Sequence, residues 1–202
     1  MSDGLKSNTS PPLIGVIGSS EANAEETSAA EAVGRALAKA GAWLICGGRG
    51  GIMEAACRGA KSADGLTIGI LSGIDPAQAN RYVDIPIVTG LGEARNAIIA
   101  RTAQALIAIG GSYGTLSEIA FALSFGKMVV GLNTWHVKRA GLPQAPIVYV
   151  ETPEQAVKHV VQSAKIKFPP KSSTQSSTQQ QSRTGYYKTL ENEFLTPAKP
   201  KK

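Results

Sequence analysis

The fold class is decided by the stretch Ala105-Leu-Ile-Ala-Ile-Gly-Gly-Ser-Tyr-Gly-Thr-Leu-Ser-Glu-Ile-Ala-Phe-Ala-Leu123. Its first five residues, Ala105–Ile109, are all apolar, which is typical of a parallel strand covered on both faces. A glycine-rich turn follows, and from Thr115 onward apolar residues recur at helical spacing. The stretch therefore predicts a buried strand, a turn and a helix, which together form the repeating unit of a parallel α/β sheet.

The turn between this strand and this helix is a candidate phosphate site. Its glycines allow a ligand to approach the backbone, and the N–H groups of the helix start point outward at the positive end of the helix dipole. Glu118, one turn inside the helix, would lie beside the sugar or ring attached to such a phosphate. The pattern Thr115-x-x-Glu118 also matches a capping box, in which both side chains satisfy only backbone groups. The sequence leaves both interpretations open.

Two earlier loops follow predicted strands in the same way. Leu13–Ile17 is a buried strand followed by Gly18-Ser19-Ser20, a weaker signal because an ordinary tight turn needs the same residues. Trp43–Cys46 is a second strand and leads into the five-residue loop Gly47-Gly48-Arg49-Gly50-Gly51. The dinucleotide spacing GxGxxG is absent from this loop. Its arginine either pairs with phosphate as a bidentate donor or is an ordinary solvated side chain.

Strands and helices continue to alternate along the chain. A capping box at Ser28 and Glu31 predicts the start of the first helix. Further elements are predicted at Leu66–Leu71 (strand), Tyr82–Val88 (edge strand), Gly92–Arg101 (helix), Lys127–Gly131 (strand), Ile147–Val150 (strand) and Pro153–Val161 (helix). This order predicts a doubly wound, mainly parallel Rossmann-like sheet with helices on both faces, which binds ligands at the carboxyl ends of its strands.

Composition favours one domain and a separate tail. The chain has 202 residues and a net charge of +6, of which residues 171–202 contribute six basic and two acidic residues. The remainder, with 15 basic and 13 acidic residues, has no electrostatic footprint for nucleic acid. We expect a flexible leader over residues 1–11, a ligand-binding domain over 12–167 and a disordered, basic, Ser/Thr/Gln-rich tail over 168–202.

Neither cysteine has a partner at a spacing typical of a metal or redox site, so we expect Cys46 and Cys57 to be buried reduced thiols. No metal site is predicted. The amino terminus lacks the apolar segment of a signal peptide, and no run approaches the ~18 apolar residues of a membrane helix. These features predict a cytoplasmic protein without a membrane partner.

Three motifs carry a resemblance to a known superfamily. They are Gly47-Gly-Arg-Gly-Gly-Ile-Met-Glu-Ala-Ala56, Ala94-Arg-Asn-Ala-Ile-Ile-Ala-Arg101 and Gly110-Gly-Ser-Tyr-Gly-Thr-Leu-Ser-Glu118. In this order they resemble the Rossmann-like superfamily that holds the lysine-decarboxylase-like "lonely guy" phosphoribohydrolases and the molybdenum cofactor carrier proteins. The similarity covers residues 12–165.

The two branches imply different functions. The hydrolases cleave the N-glycosidic bond of a nucleoside 5′-monophosphate with an arginine and a glutamate, which correspond to Arg95 and Glu118. This chain departs from them at Asn96, where they have lysine, and at Gly110, where their PGG triplet has proline. These residues look more like the carrier proteins, which bind a phosphorylated pterin bearing molybdenum. This cofactor would be a cargo, and no cofactor is required for folding.

The resemblance also implies a homodimer or a higher homo-oligomer. The predicted ligand-binding residues are Gly18, Ser19, Ser20, Gly47, Gly48, Arg49, Gly50, Gly51, Arg95, Asn96, Gly110, Gly111, Ser112, Tyr113, Gly114, Thr115 and Glu118. The predicted ligand is a phosphorylated small molecule, either a pterin or a nucleotide.

The domain boundary predicts the effect of a truncation. Because residues 171–202 show no apolar periodicity, their deletion is expected to leave the melting temperature and the ligand affinity nearly unchanged. A melting temperature far below that of the full chain would mean that the tail docks on the domain.

Overall fold

The computed structural model describes residues 10–138, 140–141 and 143–167. Residues 1–9 of the predicted leader and the whole predicted tail, 168–202, lie outside these ranges. The strands are β1 (Leu13–Gly18), β2 (Trp43–Cys46), β3 (Thr67–Leu71), β4 (Ile85–Val88), β5 (Ala105–Ile109), β6 (Met128–Leu132) and β7 (Ile147–Val150). The helices are α1 (Ala24–Lys39), α2 (Ile52–Lys61), α3 (Asn96–Thr102), α4 (Tyr113–Ser124) and α5 (Pro153–Lys167), with short 3-10 helices at Pro76–Gln78 and Gly92–Arg95.

These strands form one parallel sheet in the order β4-β3-β2-β1-β5-β6-β7. The predicted fold class is therefore confirmed, and the predicted edge strand is β4. The chain moves outward from β1 to β4 and then returns to place β5 on the other side of β1. This reversal creates a crevice above the carboxyl ends of β1 and β5, the usual ligand site of such sheets.

Both faces of the sheet are covered, which explains why the central strands are continuously apolar. On β1, Ile14 and Val16 pack in the cluster that includes α1, α2 and α5, whereas Ile17 packs in the cluster under α3 and α4. On β5, Ile107 and Leu106 divide between the same two clusters. Consecutive side chains of a strand point to opposite faces, so burial on both faces removes the polar alternation. Within the described ranges, no helix is long and apolar enough to cross a membrane.

The predicted start of the first helix is wrong. The helix begins at Ala24, four residues before Ser28. Its capping residue is Asn23, whose Oδ1 accepts from the backbone N–H of Glu26 at 2.9 Å, while Glu26 Oε2 accepts from the backbone N–H of Asn23 at 3.1 Å. This upstream box satisfies the helix start, so Ser28 and Glu31 lie inside the helix.

Helices α1 and α2 cross at very close range. A Cβ atom added to Gly34 of α1 would overlap the carbonyl oxygen of Ala56, and one added to Gly59 of α2 would overlap the carbonyl oxygen of Glu31. Backbone atoms cannot move aside as the end of a flexible side chain can. The crossing therefore requires glycine at both positions.

This crossing predicts the effect of Gly34→Ala. In an ordinary helix interior, alanine stabilises by about 1 kcal/mol relative to glycine. Here the added methyl group forces the helices apart, and we expect a net loss of about 1–3 kcal/mol in the free energy of unfolding. Thermal and denaturant unfolding measure the loss. Ser28→Ala, at an exposed position of the same helix, is the control. A Gly34→Ala variant as stable as the parent would contradict the close crossing.

Candidate functional site

A cavity of about 570 Å³ lies at the carboxyl ends of β1, β2 and β5. Small-molecule sites generally have volumes of about 300–1,000 Å³, so this cavity is large enough for a mononucleotide or a pterin. Four segments line it: Ile17, Gly18, Ser19 and Ser20 after β1; Arg49, Gly50 and Met53 after β2; Glu93, Arg95 and Asn96 before β5; and Ser112, Gly114, Thr115 and Glu118 after β5. The predicted loops therefore meet at the reversal of strand order.

The amino terminus of α4 opens into this cavity. Ser112 is its capping residue, but the Ser112 side chain makes no capping hydrogen bond. The backbone N–H of Leu116 donates to the carbonyl of Ser112 at 3.0 Å, which is the first hydrogen bond of the helix. The preceding N–H groups have no acceptor within the helix, and they lie at its positive end. This arrangement suits an anion.

The alternative capping role of Thr115 and Glu118 is wrong. Because α4 begins at Tyr113 and not at Thr115, both side chains lie inside the helix, away from the capping position. Both side chains are buried, and Glu118 contacts Arg95 instead of the backbone of the helix start. Both residues remain available to a ligand.

Arg95 and Glu118 meet in the cavity wall. Arg95 Nη1 lies 3.4 Å from Glu118 Oε1, and the two side chains are only 8% and 7% exposed. Burial raises the pKa of Glu118 to about 8, because the loss of solvation outweighs the attraction of the guanidinium. Glu118 is therefore mainly protonated at neutral pH, which leaves the charge of Arg95 available to an anionic ligand.

The glycine loop after β2 makes room for Arg95. A Cβ atom added to Gly47 would lie 2.6 Å from Arg95 Nη2 and 2.7 Å from Met53 Sδ. A Cβ atom added to Gly51 would overlap the carbonyl oxygens of Ser19 and Ser20, so this residue lets the loop pack against the loop after β1. These glycines shape the cavity without lining it.

Three cavity residues have a buried polar atom without a hydrogen-bond partner. They are Arg95 Nε, Asn96 Oδ1 and Thr115 Oγ1. The Nδ2 group of Asn96 is used within the protein, donating to Ser117 Oγ at 2.9 Å, so only the oxygen is left for another molecule. An unsatisfied buried polar group costs about 1–3 kcal/mol. A ligand that accepts from Arg95, exchanges a hydrogen bond with Thr115 and donates to Asn96 would remove this cost.

The structure brings eleven of the predicted ligand-binding residues into the cavity wall and leaves six outside it. Gly47, Gly48 and Gly51 belong to the supporting loop. Gly110 and Gly111 line a second recess of about 330 Å³. Tyr113 is 81% exposed, and the centre of its ring lies 5.7 Å from the centre of the Trp135 ring. The prediction missed Ile17, Met53 and Glu93, which line the cavity. Met53 and Glu93 lie within or beside the quoted motifs, so a wider reading of these motifs could have found them.

The fold is Rossmann-like, and the cavity at its reversal of strand order is a candidate small-molecule site. Residues 11–157 match the model of the SLOG cluster4 family, and the chain belongs to this family.

Solved structures and a curated relative agree with this assignment. The molybdenum cofactor binding protein of Rippkaea orientalis is 35% identical, with a TM-score of 0.66 over 74% of this chain and 95% of its own. The molybdenum cofactor carrier protein of Chlamydomonas reinhardtii is 37% identical, with a TM-score of 0.66 over 76% of this chain and 98% of its own. An uncharacterized protein of Archaeoglobus fulgidus is 43% identical over 156 residues, which cover 75% of this chain and 95% of the relative.

The environment of Gly114 predicts a loss of binding in Gly114→Val. A Cβ atom there would point into the cavity, with its nearest neighbours 4.0 Å away, so valine is expected to fill ligand space without unfolding the protein. We expect no measurable phosphate binding by calorimetry and a nearly unchanged melting temperature. Ser124→Val, at an exposed position of the same helix, is the control. Normal binding by a folded Gly114→Val variant would place the phosphate site elsewhere, with the Gly47–Gly51 loop as the next candidate.

Proposed function

We propose that this protein binds and carries a phosphate-bearing pterin, the molybdenum cofactor, in the cavity at the start of α4. The three unpartnered buried atoms of Arg95, Asn96 and Thr115 carry the proposal, because a polar ligand that both accepts and donates hydrogen bonds would satisfy all three. A phosphate provides acceptors, and the ring of a pterin provides N–H donors.

The charge of the cavity supports an anionic ligand. Two arginines, Arg49 and Arg95, line it together with two carboxyl residues, Glu93 and Glu118. Since Glu118 is mainly protonated at neutral pH, the cations outnumber the carboxylates, and the dipole of α4 adds to the positive potential. A phosphate group fits this combination of an arginine pair and a helix amino terminus.

Asn96 supports the carrier function over the hydrolase function. In the resemblance to the hydrolases a lysine would occupy this position and add a cation to the site. Asn96 instead donates to Ser117 at 2.9 Å and leaves an oxygen acceptor free. The two related proteins of known ligand, from Rippkaea orientalis and Chlamydomonas reinhardtii, are described as molybdenum cofactor binding and carrier proteins.

A nucleoside 5′-monophosphate phosphoribohydrolase is the second candidate. It is favoured by the contact between Arg95 and Glu118, because a buried carboxyl group with a pKa of about 8 can donate a proton at neutral pH. In this mechanism Arg95 would hold the phosphoribosyl group, and Glu118 would protonate the leaving base or help to activate water.

Two parallel assays separate these functions. The purified protein is incubated with AMP, and free adenine and ribose 5-phosphate are measured by chromatography. In the second assay, the protein is mixed with the released molybdenum pterin, and the fraction that still activates a cofactor-free molybdenum enzyme is followed over time. The carrier proposal expects intact AMP and slower loss of the pterin, with Gly114→Val as the control that does not protect. AMP hydrolysis that is lost in Glu118→Gln would instead establish the hydrolase.

Glu118 predicts how anion binding depends on pH. As the pH rises through about 8, Glu118 loses its proton and places a negative charge beside the bound anion, so affinity should fall. Sulfate is the suitable probe, because its own charge is constant over this range. Glu118→Gln keeps the neutral form at every pH and should bind sulfate without this fall. If the parent and the variant lose affinity equally between pH 7 and 9, Glu118 is not the titrating group.

If the protein is a hydrolase, the same variant has a different effect. Replacing a catalytic carboxyl group by an amide removes proton transfer and should lower AMP turnover by about 10²-fold or more. Ligand affinity at neutral pH would change much less than the rate.

A further inference from the structure

The two cysteines of the chain lie together although 11 positions separate them. Cys46 ends β2, and Cys57 lies on α2, which packs back over that strand. Their Sγ atoms are 3.6 Å apart, and both residues are completely buried. The sequence has no further cysteine. The structure therefore contains an isolated pair of thiols in contact, which the sequence did not predict.

This pair lies directly behind the Gly47–Gly51 loop. The backbone N–H of Gly48 donates to Cys46 Sγ at 3.3 Å. The side chain of Asn80 also holds this loop, because its Nδ2 donates to the carbonyl of Arg49 at 2.9 Å. A movement of the Cys46 sulfur would therefore displace the loop that carries Arg49 and makes room for Arg95.

The two thiols differ chemically. The Cys46 sulfur accepts a hydrogen bond from the backbone N–H of Gly48 and contacts the Cys57 sulfur, and the positive charge of Arg95 is near. The hydrogen bond from Cys57, with these smaller contributions, holds the pKa of Cys46 below the ordinary thiol value. The same hydrogen bond and burial raise the pKa of Cys57. Cys46 is thus the nucleophile of the pair, and Cys57 is the thiol that keeps its proton.

We propose that Cys46 and Cys57 form a redox modification site, at which a small hydroperoxide produces an intramolecular disulfide that displaces the Gly47–Gly51 loop and weakens ligand binding. The effect on ligand binding rests on the proposed function of the cavity, whereas disulfide formation does not. Because both thiols are buried, the oxidant must be close to water in size, as hydrogen peroxide is.

The oxidation takes place in two balanced steps. The Cys46 thiolate attacks one oxygen of hydrogen peroxide and breaks the O–O bond, which gives a sulfenic acid and a hydroxide that takes up a proton as water. The Cys57 sulfur then attacks the sulfenic sulfur, and the hydroxyl group leaves as a second water with the Cys57 proton. The two thiols lose two electrons and two protons, and the peroxide is reduced to two waters.

The packing of α2 directs the resulting movement to the loop. A disulfide bond is about 2.05 Å long, so the two sulfurs must approach by about 1.5 Å from their present separation. Helix α2 is fixed against α1 at Gly59, where even a Cβ atom would overlap the Glu31 carbonyl. Cys46 is the last residue of β2 and is paired with Gly69 of β3, so the movement falls on the glycine loop that follows it.

The thiol chemistry is tested on the full chain by intact mass measurement. The protein is treated with hydrogen peroxide, denatured without reductant and alkylated with iodoacetamide. We expect a species lighter by two hydrogens that carries no alkyl group, and its disappearance after dithiothreitol. Cys57→Ser and Cys57→Ala should each keep one alkylatable thiol or an oxidised Cys46 and never form this species. Full alkylation of both thiols, or oxygen adducts without the disulfide species, in a protein that stays folded by circular dichroism would overturn the proposal.

The coupling to the cavity is tested with inorganic phosphate as the probe. Calorimetry should show phosphate binding about fivefold or more weaker in the oxidised protein, with full recovery after dithiothreitol. The variant that combines Cys46→Ser and Cys57→Ser should bind phosphate equally before and after peroxide treatment, which excludes oxidation of Met53 as the cause. Equal affinities of the reduced and the disulfide forms would overturn the coupling. If the reduced protein binds no phosphate, the proposed function fails, and the mass measurement still decides whether the disulfide forms.

Discussion

The contact between the buried Arg95 guanidinium and the Glu118 carboxyl group sets the charge of the cavity. Burying a charged pair is costly unless its geometry and further hydrogen bonds compensate, and here the contact is long at 3.4 Å, with Arg95 Nε unpartnered. Protonation of Glu118 neutralises its carboxylate and leaves the positive charge of Arg95. The guanidinium of Arg95 therefore keeps charge and a hydrogen-bond donor that an anion at the start of α4 would use.

The sheet explains why this contact forms between residues 23 positions apart. Arg95 precedes β5 and Glu118 follows it, so the strand that joins them crosses the centre of the molecule between the two. The loops after β1 and β2 reach the same place, because the order of strands reverses between β1 and β5. Gly47 then provides the space in which the guanidinium lies. The fold brings Arg95 and Glu118 together, and the small residues of the loops leave the space that the guanidinium occupies.

Much of the fold could be predicted because its signals are local. Central strands such as Ala105–Ile109 are covered on both faces, and a continuous apolar run reports this directly. Helix starts were predicted less well, because several polar residues near a start compete to cap it. The true box at Asn23 and Glu26 has the same spacing as the pattern at Ser28 and Glu31, and only the path of the backbone decides between them.

Other features of the site could not be read from sequence patterns, because they depend on contacts through space. No spacing rule pairs Cys46 with Cys57, yet the return of α2 over β2 brings the two sulfurs to 3.6 Å. Likewise, the glycines of one turn have different surroundings: Gly114 faces the main cavity, whereas Gly110 and Gly111 face the second recess.

The conformation of Gly110 explains why this position is not a proline, as it is in the PGG triplet of the hydrolases. Its φ angle is +51°, its N–H donates to the Leu132 carbonyl at 3.3 Å, and an added Cβ atom would overlap the Glu26 carboxylate. Proline fixes φ near about −65° and has no N–H to donate. The PGG triplet of the hydrolases therefore cannot adopt this turn. A proline at position 110 would therefore impose a different backbone path into α4, and with it a different placement of the N–H groups at the start of this helix. The turn at Gly110 and the neutral side chain of Asn96 are thus the two features at which this chain departs from the hydrolase motifs that it resembles.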